Sequence, residues 1–334
     1  MVIGAKKRLV GLDIDAGEIR GVELSGTASA PKINTWGREP LPQGAVEDGM
    51  IQQPDQVAAA LAQLWSKNGF KEKNVILGVS NKDVLVRFAN FQKVPEDKLG
   101  GLIRHQAQDY LPLSLASVVL DYTVIGETTG ESGAMYEVIL VAARREMLDV
   151  FLNTLSGARL NPADIDVSSL VLLKIMPRVQ REGAVVLVDV ANGQSNILII
   201  ADRVPRLARR IPVRLQDAAA RMEVPVEELF SLAGLSESVP EAYLEWIDDL
   251  VSEIRASISY YQAQPNALDV EEILLSGKGA RAPEVAGRIE EVLNTPVKKL
   301  QPFTGTTGFN QMGNGQELDY SIAFSLALRG LEGQ

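Results

Sequence analysis

Two aspartates, each at the end of an apolar run and followed four residues later by glycine, are the residues best suited to chemistry. Asp13 precedes Gly17, and Asp189 precedes Gly193. A tight turn between two strands directs successive backbone N–H groups into one concavity, which attracts anions. An aspartate at the end of the first strand can hold a hydrated Mg²⁺ against phosphates bound there. A plain hairpin turn would explain either copy alone, but the pair predicts that two hairpins clasp one nucleotide.

This hypothesis assigns phosphate contacts to both turns and the metal to both aspartates. Asp13 and Asp189 are the predicted ligands of Mg²⁺ through water, and their alternative role is that of ordinary turn residues at strand ends. The predicted nucleotide-binding residues of the two hairpins are Asp15, Ala16, Gly17, Glu18, Gly193, Gln194 and Ser195.

A third segment is predicted to hold the other end of the nucleotide. Gly277, Lys278 and Gly279 follow an apolar run and precede a helix, and glycines there let a ring and ribose approach the backbone closely. Glu253 and Ser257 lie one turn apart on a predicted helix, so they could border the ribose and adenine. The alternative for these two residues is the polar face of a long helix.

The elements that must position these residues occur twice in the chain, which indicates an internal duplication. Each copy begins with three short apolar runs separated by turn residues, as expected of a β-meander. The predicted strands are Leu9–Asp13, Ile19–Leu24 and Ile33–Arg38 in the first copy, and Ala184–Asp189, Asn196–Ala201 and Arg206–Ile211 in the second.

Between the two copies the pattern predicts a small α+β subdomain. Val75–Val79 and Val84–Phe88 are predicted to pair with each other, and a helix begins at Pro95. A hairpin and a helix from Arg144 to about Ser156 complete the order β-β-α-β-β-α. A further helix is predicted over Val167–Met176, before Pro177.

Composition excludes several classes of function. The chain of 334 residues has no cysteine, one histidine and a net charge of −10. Thiol chemistry, disulfides and multi-histidine metal sites are therefore excluded, and an acidic chain has no general attraction to nucleic acid or anionic membranes. No apolar run is long enough to span a membrane, and the basic start does not resemble a signal peptide. We expect a cytoplasmic protein that reaches a membrane only through partners.

The order of the two hairpins and the Ser276-Gly-Lys-Gly279 turn resembles the actin/Hsp70/sugar-kinase ATPase superfamily. Nearly the whole chain, from about Leu9 to Gly330, resembles more narrowly the PilM family of type IV pilus assembly proteins. The stretches that carry this narrower resemblance are Val86-Arg-Phe, Val94-Pro-Glu-Asp-Lys-Leu, Ala107-Gln-Asp-Tyr-Leu-Pro-Leu113, Leu120-Asp-Tyr122, Glu137-Val-Ile-Leu-Val-Ala-Ala-Arg144, Leu160-Asn-Pro-Ala-Asp-Ile-Asp166, Glu253-Ile-Arg-Ala-Ser-Ile-Ser-Tyr-Tyr261 and Ala327-Leu-Arg-Gly330.

The resemblance implies an α/β fold of duplicated actin-like (ribonuclease H-like) domains with an inserted FtsA-like subdomain. The expected division is 8–74, with 160–182 and 304–334, for the first domain, 75–159 for the insertion, and 183–303 for the second domain. It also implies ATP with Mg²⁺ as cofactor and a scaffold role in the inner-membrane machinery of the pilus. The implied partners are the cytoplasmic N-terminal tail of a PilN-like inner-membrane protein and other pilus assembly proteins, and homo-oligomerisation stays open.

Two residues depart from the pattern of that family. Asp15 stands where the first turn usually has glycine, and Lys278 stands in the middle of a turn that usually reads Gly-Gly. A second carboxylate beside Asp13 repels phosphates unless a cation compensates, so we expect a weak ATPase at most. The alternatives are an enzyme of the sugar-kinase type, for which no general base is identified, and an FtsA-like filament protein, whose terminal amphipathic helix is not matched by the polar Arg329–Gln334.

Overall fold

The computed structural model describes residues 8–130, 133–176, 183–234, 239–309 and 313–332. The predicted boundary region at 177–182 lies outside the described residues, as does the end of the predicted first domain at 333–334. The strands are Arg8–Asp15 (β1), Glu18–Thr27 (β2), Ala30–Pro40 (β3), Val46–Glu47 (β4), Met50–Ile51 (β5), Asn74–Val79 (β6), Val84–Gln92 (β7), Val118–Gly130 (β8), Gly133–Arg144 (β9), Asn161–Val167 (β10), Ala184–Val190 (β11), Ser195–Ala201 (β12), Val204–Ile211 (β13), Val270–Ser276 (β14) and Val297–Lys299 (β15).

Eight α-helices are present in the described part of the chain, joined by short 3₁₀ segments. They are Pro54–Asn68 (α1), Glu96–Gln106 (α2), Arg145–Gly157 (α3), Ser168–Val171 (α4), Leu215–Arg221 (α5), Glu241–Gln262 (α6), Val285–Leu293 (α7) and Ser321–Leu331 (α8). None of these helices combines the length and the apolar composition that a membrane crossing requires.

The fold contains the same five-stranded sheet twice. In the first sheet the order is β3-β2-β1-β6-β10, and in the second it is β13-β12-β11-β14-β15. Each sheet starts with an antiparallel meander, and its first strand then pairs in parallel with a strand that comes much later. The predicted duplication and α/β fold class are therefore confirmed. We call the first sheet with its helices the first lobe, and the second sheet with its helices the second lobe.

Burial explains why the first strands of the two sheets read as almost unbroken apolar runs. Nearly all of β1 and all of β11 are buried, as expected for central strands covered on both faces. Helix α8 packs on β1 so closely that a Cβ on Gly11 would lie 1.8 Å from the Ala323 carbonyl oxygen. Helices α1 and α3 pack against each other, in the core that covers the remainder of the first sheet.

The strands around the predicted insertion pair differently from the sequence prediction. The predicted pairing of Val75–Val79 with Val84–Phe88 is wrong, because β6 lies between β1 and β10 in the first sheet while β7 pairs with β9. The three-stranded sheet β7-β9-β8 with α2 forms the inserted unit. The predicted boundary at residue 75 therefore falls within a strand of the first sheet, whereas the other domain limits stay predictions.

Two elements after the inserted unit also differ from the sequence prediction. The polar segment Asn161–Val167, which was not predicted to be a strand, forms β10 at the edge of the first sheet. Helical structure follows it, but as the short α4 and a 3₁₀ turn, Leu172–Ile175, rather than one helix over Val167–Met176.

Candidate functional site: the cleft between the two hairpins

The first hairpin brings an arginine opposite the predicted metal ligand. Ala16 and Gly17 form the turn, and Gly17 has φ +83°, a left-handed conformation that glycine adopts without strain. This turn sets the register of β1 and β2 so that Asp13 lies directly across from Arg20. Cross-strand neighbours on one face lie within reach of each other.

Arg20 is the cation at the centre of this site. It is 2% exposed, and its guanidinium lies 3.0 Å from Asp13, 2.9 Å from Asp15 and 3.2 Å from Glu18. Burial opposes its ionisation, but the three carboxylates outweigh burial and raise the pKa of Arg20 well above its ordinary value. Burial likewise opposes ionisation of Glu18, yet Arg20, Lys278 and Arg38 lower its pKa.

The Asp15 carboxylate crosses the cleft and binds the second hairpin. Its Oδ2 accepts the backbone N–H of Asn192 at 2.9 Å, and its Oδ1 accepts that of Gly193 at 3.0 Å. The Ala16 N–H donates to the same Oδ1 at 2.8 Å. The Asn192 side chain returns a hydrogen bond to the Ala16 carbonyl at 3.1 Å. The two predicted phosphate-binding turns thus bind each other.

Contact between the turns is close enough to require glycine at position 193. A Cβ at Gly193 would lie 2.5 Å from the Ala16 Cβ, which is closer than real carbon atoms approach. Gln194 and Ser195 are buried where β12 begins. No open space separates the tips of the two hairpins.

Asp13 and Asp189 line one small cavity of about 30 Å³ beneath these turns. Burial raises the pKa of Asp13 to about 6, against the attraction of Arg20. Burial and the nearby Asp13 carboxylate raise the pKa of Asp189 to about 7. Neither Asp189 oxygen has a hydrogen-bond partner of good geometry among the described residues, and the same holds for the hydroxyl of Ser276.

The donors around this cavity do not make up a magnesium site by themselves. Asp189 offers one carboxylate, whereas Mg²⁺ requires an octahedral set of oxygen ligands, several of them water. Asp13 is already neutralised by Arg20. No group of three or more histidine, cysteine, aspartate or glutamate side chains in the described ranges is arranged to hold a metal ion.

The third predicted segment closes the cleft from the second lobe. Gly277 has φ +78°, and a Cβ on Gly279 would lie 2.4 Å from Val190, so both glycines serve packing against β11. Lys278 is 2% exposed, and its Nζ lies 3.0 Å from Glu227 and 3.4 Å from Glu18 of the first lobe. Its ammonium therefore bridges the two lobes beside the segment predicted to hold a nucleoside.

A cleft of about 620 Å³ remains between the lobes outside these contacts. Its two cations are both paired: Arg214 with Asp48 at 2.9 Å and with Asp217 at 2.8 Å, and Lys278 with Glu18 and Glu227. The carboxylates that line the cleft are Glu18, Glu47, Asp48, Asp217 and Glu227. Five carboxylates against two cations give the cleft a net negative charge.

Most of the predicted site residues come together, but two do not. Asp13, Asp15, Ala16, Glu18 and Gly193 meet at the hairpins, with Gly17, Gln194, Ser195, Asp189, Gly277, Lys278 and Gly279 around them. Glu253 and Ser257 do not line the cleft. Arg209 of β13 binds Glu253 at 2.7 Å and Ser257 at 3.3 Å, because α6 packs its buried face on that part of the sheet.

Sequence reasoning missed Arg20, Asn192 and Glu227 as members of this site. The turn at Ala16 and Gly17 was recognised, and counting outward from it pairs residue 13 with residue 20, so this register could have identified Arg20. A charged residue in a strand that also carries Ile19, Val22 and Leu24 is a second signal. Asn192 and Glu227 carry no comparable local signal, because their contacts depend on how the two lobes meet.

The residues of the cleft therefore do not fit ATP with Mg²⁺ in this arrangement. The N–H groups that would bind phosphate already donate to Asp15, and the remaining cleft is acidic. A polyphosphate placed there would meet carboxylates rather than free donors, which is unfavourable in a partly buried site.

The sequence model of the family described as "Type IV pilus assembly protein PilM" matches residues 11–211, more than half of the chain. The fold is similar to the structure of a "PilM-PilN type IV pilus biogenesis complex", with a TM-score of 0.85, 22% identity, and coverage of 98% of this chain and 100% of that one.

More distant structures share the actin-like fold. The ethanolamine utilization protein EutJ from Carboxydothermus hydrogenoformans has a TM-score of 0.56 and 11% identity, covering 98% of this chain and 91% of that chain. MreB 5 of Spiroplasma citri bound to AMPPNP has a TM-score of 0.54 and 9% identity, covering 96% and 95%. Together with the duplicated sheets, the family match shows that this chain belongs to the PilM family of type IV pilus assembly proteins.

Proposed function

We propose that this protein is a cytoplasmic scaffold of the type IV pilus machinery that binds the cytoplasmic N-terminal tail of a PilN-like inner-membrane protein. Membership of the PilM family and the similarity to a PilM–PilN complex support this role. Binding that tail would attach the protein peripherally to the inner membrane. The structural observation that carries the proposal is an apolar groove between the inserted unit and the first lobe.

The groove has a volume of about 710 Å³ and is mainly apolar. Strands β8 and β9 form one wall, and β10, α3 and α4 contribute most of the remaining lining residues. Val119 on β8 is 42% exposed, so its side chain is accessible to a bound segment. The apolar residues that line the groove include Val119, Leu120, Ile139, Val141, Leu148, Leu152, Ile165 and Leu170.

Two open strand edges border this groove. Strand β8 is an edge of the inserted sheet, and β10 is an edge of the first sheet. Residues 119–123 of β8 and 164–167 of β10 both line the groove. An extended peptide can add to such an edge through main-chain hydrogen bonds, while alternate side chains enter pockets. The groove is therefore suited to a short extended segment.

Charge favours a segment that combines apolar residues with lysine or arginine. The groove is lined by Asp121, Asp164 and Asp166, with Lys174 and Arg329 as its cations. Arg329 pairs with both Asp164 and Asp166, which leaves the Asp121 end of the groove acidic. Cytoplasmic segments next to membrane spans carry an excess of lysine and arginine, so a tail of this kind complements the groove.

This scaffold role needs no nucleotide turnover. The phosphate-side donors of the cleft bond within the chain, and the groove is lined by a different set of residues. For the same reason the geometry gives no support to the alternative of a sugar kinase, which requires a bound phosphoryl donor.

Substitution within β8 tests the proposal. Val119→Asp places a charge in the groove, and we expect it to weaken binding of the PilN-like tail at least tenfold. The matched control is Val124→Asp, because Val124 is 39% exposed on the same strand but does not line the groove. Affinity is measured by fluorescence anisotropy of the labelled tail peptide with the full chain.

Val124→Asp should bind the tail as tightly as the unchanged protein does. It lowers the strand propensity of β8 about as much as Val119→Asp does, but it places no charge in the groove. Equal affinity of Val119→Asp and the unchanged protein would place the tail elsewhere. Failure of the unchanged protein to bind the tail at all would reject the proposed partner.

A further inference from the structure

We propose that Asp15 takes the place of a nucleotide phosphate, so that the two lobes are held closed by the chain itself and the cleft excludes ATP. The inference does not depend on which partner the groove binds. It follows from three features of the cleft: the carboxylate that accepts its N–H groups, the position of the buried arginine, and the lysine that bridges the lobes at its other end.

The anion site of the second hairpin is already occupied. Two successive N–H groups, from Asn192 and Gly193, converge on the two oxygens of one carboxylate at 2.9 and 3.0 Å. This is the way such a turn holds a phosphate group. Asp15 is 7% exposed, so water does not compete for its oxygens. A phosphate can reach these donors only by displacing a carboxylate that accepts hydrogen bonds from both lobes.

Arg20 holds the position of a neutralising cation. It contacts Asp13, Asp15 and Glu18 at once, and it belongs to the same hairpin as all three. An arginine fork fixes several carboxylate oxygens without a metal. The carboxylate of Asp15 is therefore neutralised from one lobe and hydrogen-bonded from the other. No divalent cation is needed to hold the hairpins together.

The other end of the cleft is closed by a second contact across the lobes. Lys278 is buried and bridges Glu18 of the first lobe and Glu227 of the second. The adjacent glycines pack closely against Val190 of β11. Further pairs join the lobes around the cleft, including Ser80 with Asn196 at 3.1 Å and Asp48 with Arg214.

The test compares the full chain with Asp15→Gly and Asp15→Asn. The glycine variant frees the Asn192 and Gly193 N–H groups and removes a negative charge, so we expect it to bind ATP with Mg²⁺ at least tenfold more tightly than the unchanged protein. The unchanged protein should show no rise of melting temperature at 1 mM ATP with Mg²⁺, on the order of cellular concentrations, because a ligand stabilises only the state it binds. Calorimetric titration gives the affinities.

Distance measurements supply a readout that is independent of nucleotide binding. The chain has no cysteine, so cysteines introduced at the exposed positions Gln63 on α1 and Glu245 on α6 carry unique spin labels. Without nucleotide, we expect a longer and broader distance distribution in Asp15→Gly than in the unchanged protein, and ATP with Mg²⁺ should shorten it. Asp15→Asn keeps the volume of the side chain but exchanges an acceptor for a donor, so it should open the lobes too.

Asp149→Asn removes an exposed carboxylate from α3 and serves as the matched control, with distances and melting temperature like those of the unchanged protein. Micromolar binding of ATP by the unchanged protein would overturn the proposal. The proposal would also be overturned if Asp15→Gly neither separates the lobes nor gains affinity for ATP. If the glycine variant does not fold, the spin-label distances of Asp15→Asn provide the test, and distances like those of the unchanged protein would overturn the proposal. Tail binding to the groove is measured separately, so its failure would leave these outcomes readable.

Discussion

Asp189→Asn should stabilise the protein at pH 8 and have little effect at pH 4. Asp189 is 1% exposed, and burial and Asp13 raise its pKa to about 7, whereas an unfolded aspartate titrates near 3.8. The native state therefore holds a proton that the unfolded chain releases between these values. Asparagine has nearly the same shape and carries no charge at any pH.

The sign follows from proton linkage. Because the folded pKa is raised, stability is full below about pH 4 and is lost as the pH rises through 7. The rise of the Asp189 pKa from 3.8 to about 7 lowers the free energy of unfolding at pH 8 by on the order of 4 kcal/mol. Most of this loss occurs between pH 4 and 7, where the unfolded state is ionised and the native state still protonated. The Asp189→Asn variant does not lose this stability, because its side chain does not ionise.

Urea denaturation at pH 4, 6 and 8, with a chelator present, measures the difference between the two proteins. We expect the advantage of Asp189→Asn to grow by several kcal/mol across this range, while Asp149→Asn, at an exposed carboxylate, shows a constant difference. A difference that does not change with pH, or a variant less stable at pH 8, would refute the reasoning. Repeating the pH 8 measurement with Mg²⁺ tests the predicted metal role, because an ion bound through Asp189 would stabilise only the unchanged protein.

Four other substitutions, two of them comparison variants, test the core of the site and the packing beneath it. Arg20→Met leaves Asp13, Asp15 and Glu18 buried without their central cation, so urea denaturation should show a loss of about 4 kcal/mol. Arg20→Lys, which keeps the charge but not the fork, should lose less. Gly11→Ala forces a Cβ against the Ala323 carbonyl and should lower the melting temperature, at a cost of about 3 kcal/mol. Its control, Gly101→Ala in α2, meets nothing within 4 Å and should gain about 1 kcal/mol from helix propensity.

Local patterns in the sequence predict the meander strands and the two hairpins correctly, because apolar runs, turn glycines and register are set by neighbouring residues. Parallel pairing is not local. Strand β6 follows a helix and reads like the first half of a hairpin with β7, so its place beside β1 becomes visible only when the sheet is assembled. Strand β10 is polar, as edge strands often are, and offers no apolar signal.

The candidate site shows even more clearly that local sequence patterns do not predict contacts between distant segments. The sequence predicts Asp15 and Gly193 in one site, and the structure brings them together as hydrogen-bond partners of each other. That outcome depends on how far apart the lobes lie, a quantity that composition and spacing do not contain. Glu253 and Ser257 illustrate the opposite error: helical spacing gave them a shared face, and that face packs on Arg209 rather than on the cleft.

The closed cleft and the apolar groove are mechanically connected through the inserted sheet. Glu137 on β9 binds Arg206 of the second lobe at 3.0 Å, while the opposite wall of the groove, β10, belongs to the first lobe. Movement of one lobe against the other would therefore shift the two walls of the groove. The proposed clamp of Asp15 and its N–H donors fixes the separation of the two walls without a bound nucleotide. If the groove binds the proposed tail, it would be formed beforehand, and binding would avoid the entropic cost of ordering its walls.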